Sequence, residues 1–156
     1  MKTVTRLSRR LNRTGFTLVE LVIIIVTLGI LAAVAVPRFA DVAEGSRQTA
    51  TRDELNKLKR AIIGDPSAVA GGEHVDRGFE GDVGYPPSSL HDLVRKPDSV
   101  AAYDRLTRLG WNGPYIDSAE NKYLTDAWGN AYGYDPAARR IVSGGPGNGD
   151  SIVVTF

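Results

Sequence analysis

The chain has 156 residues, 42% of them hydrophobic, with 19 Lys and Arg against 18 Asp and Glu and a formal net charge of +1. That balance provides no basic footprint for nucleic acid, and without a single cysteine an exported fold must hold together with no disulfide. The length suits one small domain with a modest core, and 17 glycines with 8 prolines predict a loop-rich distal half.

Five basic residues, Lys2, Arg6, Arg9, Arg10 and Arg13, come first, with no acid among them. The 21 residues from Phe16 to Val36 follow, and Glu20 is their only charge. At about 1.5 Å per residue this helix is about 31 Å long, enough to cross a hydrocarbon core of about 30 Å. The basic flank predicts a cytoplasmic N-terminal end, with everything after Pro37 beyond the membrane. Glu20 lies about one turn into the apolar run. A charge costs about 2.5–3.5 kcal/mol at the centre of a bilayer and less near its edge, so Glu20 is expected to have a partner. Two plainer readings fit less well. A secretory signal cut at Ala33-Val34-Ala35 would have an apolar run of about 7–15 residues and no acid. An uncleaved membrane anchor leaves Glu20 unexplained.

A proline kinks or locally opens a helix without having to end it, so the helix is expected to continue past Pro37. Ala40, Ala43, Ala50, Leu55, Leu58, Ala61 and Ile62 form an apolar stripe, and Gly64-Asp65-Pro66 is a stop signal. From Phe16 to Ile63 such a helix is about 72 Å long, apolar all round in its first half and amphipathic in its second. Residues 67–87 read as an irregular connector. A short helix is predicted over Leu90–Arg95, capped by Ser88 or Ser89 with Asp92 three residues after Ser89. A second is predicted over Ser99–Leu109, where Val100, Tyr103, Leu106 and Leu109 recur every three residues. Tyr132–Asp135, Arg140–Ser143 and Ser151–Thr155 read as three strands of an antiparallel meander. The amphipathic half of the long helix is the available cover, which makes the fold class α+β.

No catalytic constellation stands out, so the chain is read as a non-enzyme. His74 and His91 are the only histidines and have no neighbours at metal-ligand spacing. Ser143-Gly-Gly-Pro-Gly147 is not a phosphate loop, because no lysine follows and no helix is opened.

Gly15-Phe16-Thr17-Leu18-Val19-Glu20 resembles the class III signal of type IV pilins and of the pseudopilins of type II secretion. The resemblance implies that a membrane aspartyl prepilin peptidase cuts a leader, residues 1–15, between Gly15 and Phe16. Phe16 is then N-methylated, and Glu20 is the acid used in assembly. Gly29 and Pro37 sit where such helices often carry a glycine and a proline. Losing the leader would leave 14 Lys and Arg against 18 Asp and Glu, a side-chain charge of −4.

Trp111-Asn-Gly-Pro-Tyr115 and Asp126-Ala-Trp-Gly-Asn-Ala-Tyr-Gly-Tyr134 resemble segments of the type II secretion major pseudopilins, the general secretion pathway protein G-like group. The chain departs from them at Ala127 and Ala131, where proline is usual. These aromatics are read as structural. The absence of cysteine leans toward a pseudopilin, since many type IV pilins close their C-terminal region with a disulfide.

The resemblance further implies a pilin-like fold. A transmembrane and assembly helix would span 16–36 and a periplasmic head 37–156. The head would divide into an amphipathic helix (37–63), a connector (64–130) and a β-meander (131–156). The chain would be a single-pass protein of the bacterial inner membrane, polymerised through its helix into a pseudopilus that drives export. Its implied partners are copies of itself, minor pseudopilins, prepilin peptidase, an inner-membrane assembly platform and a cytoplasmic ATPase. In the major pseudopilins the loop before the last strand binds calcium. Here Asp150, Asn148 and Asp126 are the candidate ligands, with Ser143 nearby, although the loop is shorter and less acidic than in that group. Calcium takes six to eight oxygens, and a plain glycine-rich turn stays open as the other reading. Alternatives for the whole chain are a type IV pilin, a minor pseudopilin, or a membrane-anchored periplasmic binding module that never polymerises.

Overall fold

The computed structural model describes residues 15–117, 119–147 and 149–156. The five leader basics and Asn148 lie outside the described residues, as does the side chain of His74. Helix α1 runs Leu18–Ile63, 46 residues with Pro37 inside it. Pro37 lacks an N–H and so removes one bond from the ladder, which the long apolar helix tolerates. Gly64 ends α1: its N–H donates to the Arg60 carbonyl (2.7 Å) and its φ of +79° is the left-handed cap that glycine adopts freely.

The chain forms two compact units that divide after Val42. In the first, every large apolar side chain from Phe16 to Val42 is exposed, and α1 is long and apolar enough to cross a membrane. In the second, α1 contributes Leu55, Leu58, Ala61 and Ile62 to a core shared with Phe79, Leu90, Leu93, Val100, Tyr123, Tyr132 and Ile141. The three- and four-residue spacing puts these α1 side chains on one face. Ala40, Ala43 and Ala50 of the predicted stripe are exposed instead, since burial along α1 begins only at Thr51.

The segment from 64 to 130 is more ordered than its composition suggested. Strands β1 (Val69–Ala70) and β2 (Glu73–His74) pair antiparallel around Gly71 and Gly72, both at positive φ. Helix α2 covers Gly78–Val83, and 3-10 helices cover Leu90–Leu93 and Ala119–Leu124. The first 3-10 helix stands where a helix to Arg95 was predicted, and Asp92 accepts from the N–H groups of Ser88 (2.9 Å) and Ser89 (3.0 Å).

The helix predicted over Ser99–Leu109 does not form. The backbone folds back on itself instead: Asp104 N–H donates to Leu109 O (2.9 Å), and Trp111 N–H to Ala101 O (2.9 Å). Gly110 N–H is held by the Asp82 carbonyl of α2 (2.8 Å). Leu106 is 94% exposed and only Val100 of the four spaced residues is buried, so the three-residue recurrence marks no core face.

Strands β3 (Gly133–Asp135), β4 (Arg140–Ser143) and β5 (Ile152–Thr155) form an antiparallel sheet in that order. In its register Tyr134 faces Ile141 and Ile141 faces Val154. The buried Ile141 and Ser143 alternate with less buried neighbours along β4. Arg139 ties α2 to this sheet. Its guanidinium grips both Glu80 oxygens (2.9 and 2.8 Å) and donates from Nε to Phe156 O (2.7 Å).

Asp82 on α2 is buried and accepts the Tyr115 hydroxyl proton at 3.1 Å. Burial pushes its carboxyl above the ordinary range, and the Tyr115 bond only partly offsets this. The folded chain therefore binds that proton more tightly than the unfolded chain does. The resulting stabilisation is present below the unfolded pKa of about 4 and is lost as pH rises through the folded value. Asp82→Asn should thus gain stability relative to the parent at pH 7 and gain less near pH 3.5, as thermal melts at the two pH values would show. A variant that loses more at pH 7 would mean that pairing with Arg77, 3.9 Å away, outweighs burial.

Candidate assembly site

Thr17 stands immediately before the first residue of α1, and Glu20 three residues later, the geometry of a capping box. Glu20 Oε2 accepts from the Thr17 N–H (2.8 Å) and the Thr17 hydroxyl (2.9 Å), and the same hydroxyl accepts from Glu20 N–H (3.2 Å). Two of the donors left over at a helix start are thereby satisfied. Oε1 takes no hydrogen bond among the described residues, so the carboxylate is oriented through one oxygen with the other left for a second donor. Sequence reasoning singled out Glu20 and passed over Thr17, although a T-x-x-E pattern before an apolar run is the signal for it. Gly15 and Phe16 lie in the non-helical segment before the helix, both exposed, Phe16 at 77%.

The three candidate calcium ligands are placed differently. Asn148 is outside the described residues. Asp126, 6% exposed, turns its carboxylate toward protein donors. Oδ1 accepts from the N–H groups of Trp128 (3.0 Å) and Asn130 (2.8 Å). Oδ2 accepts from the Ser143 hydroxyl (2.6 Å) and the Asn130 side-chain amide (3.3 Å). Burial pushes this carboxyl up, but the donors of Ser143, Asn130 and Trp128 outweigh it and hold the group below its ordinary range. Asp150 instead lines a cleft of about 320 Å³ with Gln48, Arg52 and Pro146. No group of three or more His, Cys, Asp and Glu able to hold a metal occurs among the described residues. With all four acceptor positions of Asp126 taken by protein donors, its carboxylate does not fit as a calcium ligand. His91 is engaged with the Tyr123 hydroxyl at 3.1 Å. Trp128 donates from its ring N–H to Glu44 of α1 (3.2 Å), and Trp111 to the Asp92 carbonyl (2.9 Å).

No family model and no solved structure matches the chain. Named relatives do. Over 133 residues it is 26% identical to the type II secretion system core protein G of Xanthomonas campestris, covering 85% of this chain and 76% of the relative. Over 128 residues it is 30% identical to the core protein G of Pseudomonas aeruginosa, covering 81% and 75%. The chain belongs to the type II secretion system core protein G family.

Kinship to pilins extends beyond core protein G. The type IV major fimbrial protein FimA of Dichelobacter nodosus is 29% identical over 124 residues, 80% of this chain and 73% of the relative. At family level the chain is therefore a structural subunit, a type II secretion pseudopilin or a type IV pilin, rather than an enzyme. The long helix carrying a small antiparallel sheet is the pilin-like α+β arrangement. Within it, α1 is consistent with a single-pass membrane anchor.

Proposed function

We propose that this member of the core protein G family is the major subunit of a type II secretion pseudopilus, cut between Gly15 and Phe16 and N-methylated at Phe16. Its stem would lie in the bacterial inner membrane with the N-terminal end cytoplasmic and the head periplasmic. A cytoplasmic ATPase acting through a membrane platform would extract it into a filament begun by minor pseudopilins, and filament growth would drive export. The observation that carries this reading is the match to core protein G along both the apolar stem and the head. The N-terminal geometry supports the processing step. The Gly15–Phe16 bond is in an exposed, non-helical segment, and a Cβ on Gly15 would meet nothing within 4 Å. The fold itself makes no demand for glycine there, so the demand is assigned to the peptidase.

Co-expression with prepilin peptidase followed by intact-mass analysis should give a chain beginning at N-methyl-Phe16. Gly15→Val should leave the leader attached. A first residue at Val36 would instead establish an ordinary secretory cut. The second reading, a type IV pilin, is favoured by the match to FimA. Deleting the ATPase of the secretion system or that of the pilus system separates the two, since filaments of this chain should vanish only with the first.

A further inference from the structure

The turn at 126–130, the end of β4 and the loop before β5 meet at one carboxylate. Asp126 gathers four donors, two from the backbone of its own turn, one from Ser143 at the end of β4 and one from the Asn130 side chain. The network then reaches into the loop. Asn130 Nδ2 also donates to Gly145 O (2.8 Å), and the Ser143 hydroxyl accepts from Gly145 N–H (3.1 Å). It reaches α1 as well, where the Thr51 hydroxyl accepts from Ala127 N–H (3.2 Å). The loop closes tightly at its far side: Gly145 has φ +62°, and a Cβ there would collide with the Asp150 carbonyl.

The polarity of this arrangement is opposite to that of a metal site. A calcium ion is a positive centre that collects carbonyl and carboxylate oxygens. Asp126 is a negative centre that collects N–H and O–H groups. To ligate an ion through Asp126, the turn would have to release donors already paired. On the other side of the loop, Arg52 lines the same cleft as Asp150.

We propose that in this chain the Asp126 carboxylate closes the β4–β5 loop in place of the calcium ion carried there by major pseudopilins, so that the fold of the head does not depend on calcium. The inference does not depend on which filament the chain builds. The test uses the full chain in detergent, melted while following the near-UV circular dichroism of Trp111 and Trp128. Midpoints with a chelator and with about 5 mM calcium should agree within about 1 °C, whereas a real site would be stabilised in proportion to the logarithm of calcium concentration. Asp126→Asn should lower the midpoint by roughly 5–10 °C in both conditions, because its amide opposes donors instead of accepting from them. Ser143→Ala, a milder change, should lower it by less and again equally, and it serves alone if Asp126→Asn does not fold. A midpoint that falls with chelator, with the difference removed by Asp150→Ala, would overturn the inference in favour of calcium. Unchanged midpoints in both Asp126→Asn and Ser143→Ala would also overturn it.

Discussion

Glu20→Leu is expected to leave the chain inserted and processed but unable to build filaments. The proposed cut after Gly15 would create a positive amine at Phe16, four residues from Glu20. In apolar surroundings neither charge is stable without a partner. The structure adds a geometric reason: Thr17 holds Oε2, so Oε1 is presented to a second donor. That donor can be the chain's own amine or the amine of an arriving neighbour, which would give register to packing between otherwise featureless apolar helices. Removing one partner of a desolvated pair costs about 3–5 kcal/mol, so filament yield should fall by roughly two to four orders of magnitude. Immunoblots of sheared filaments, beside total and processed subunit, would read the effect. Glu20→Asp, one methylene shorter, should be intermediate. Wild-type filament levels in Glu20→Leu would show that the pairing does not govern assembly.

Phe79→Ala should cause the largest loss of head stability. Phe79 is 1% exposed, the largest of the fully buried side chains, and meets Tyr115 edge-on at 5.7 Å between ring centres. It comes from α2 and shares the core with Leu55, Leu58 and Ile62 of α1. Deleting such a ring costs about 3–5 kcal/mol, a large part of the roughly 5–15 kcal/mol that holds a domain of this size. The melting midpoint of the head should fall by roughly 12–20 °C. A shift of only a few degrees would mean that α2 is not part of the cooperative unit.

Local pattern made much of this protein legible. The apolar run marks the membrane-compatible part of α1 without any tertiary contact, because it is a property of consecutive residues. The helix end at Gly64 was legible for the same reason, and so were the three strands, which alternate and are separated by turn residues. The stripe of Leu55, Leu58 and Ile62 was readable because helical geometry alone puts them on one face.

Tertiary structure decided the middle of the chain and the fate of the polar groups. Phe79 sits among glycines and charges, so nothing nearby in the sequence shows that its short helix is buried against α1. The period-three leucines of 106 and 109 looked helical, yet the backbone there bonds across its own loop and to Asp82, 28 residues before Gly110. Asp126 offered its oxygens equally to calcium or to protein donors. Ser143 and Asn130 settled its hydrogen bonding, and Ser143 comes from 17 residues away. A one-dimensional pattern shows which groups can be buried or charged, but the partners that stabilise them are found only once distant segments share the same space.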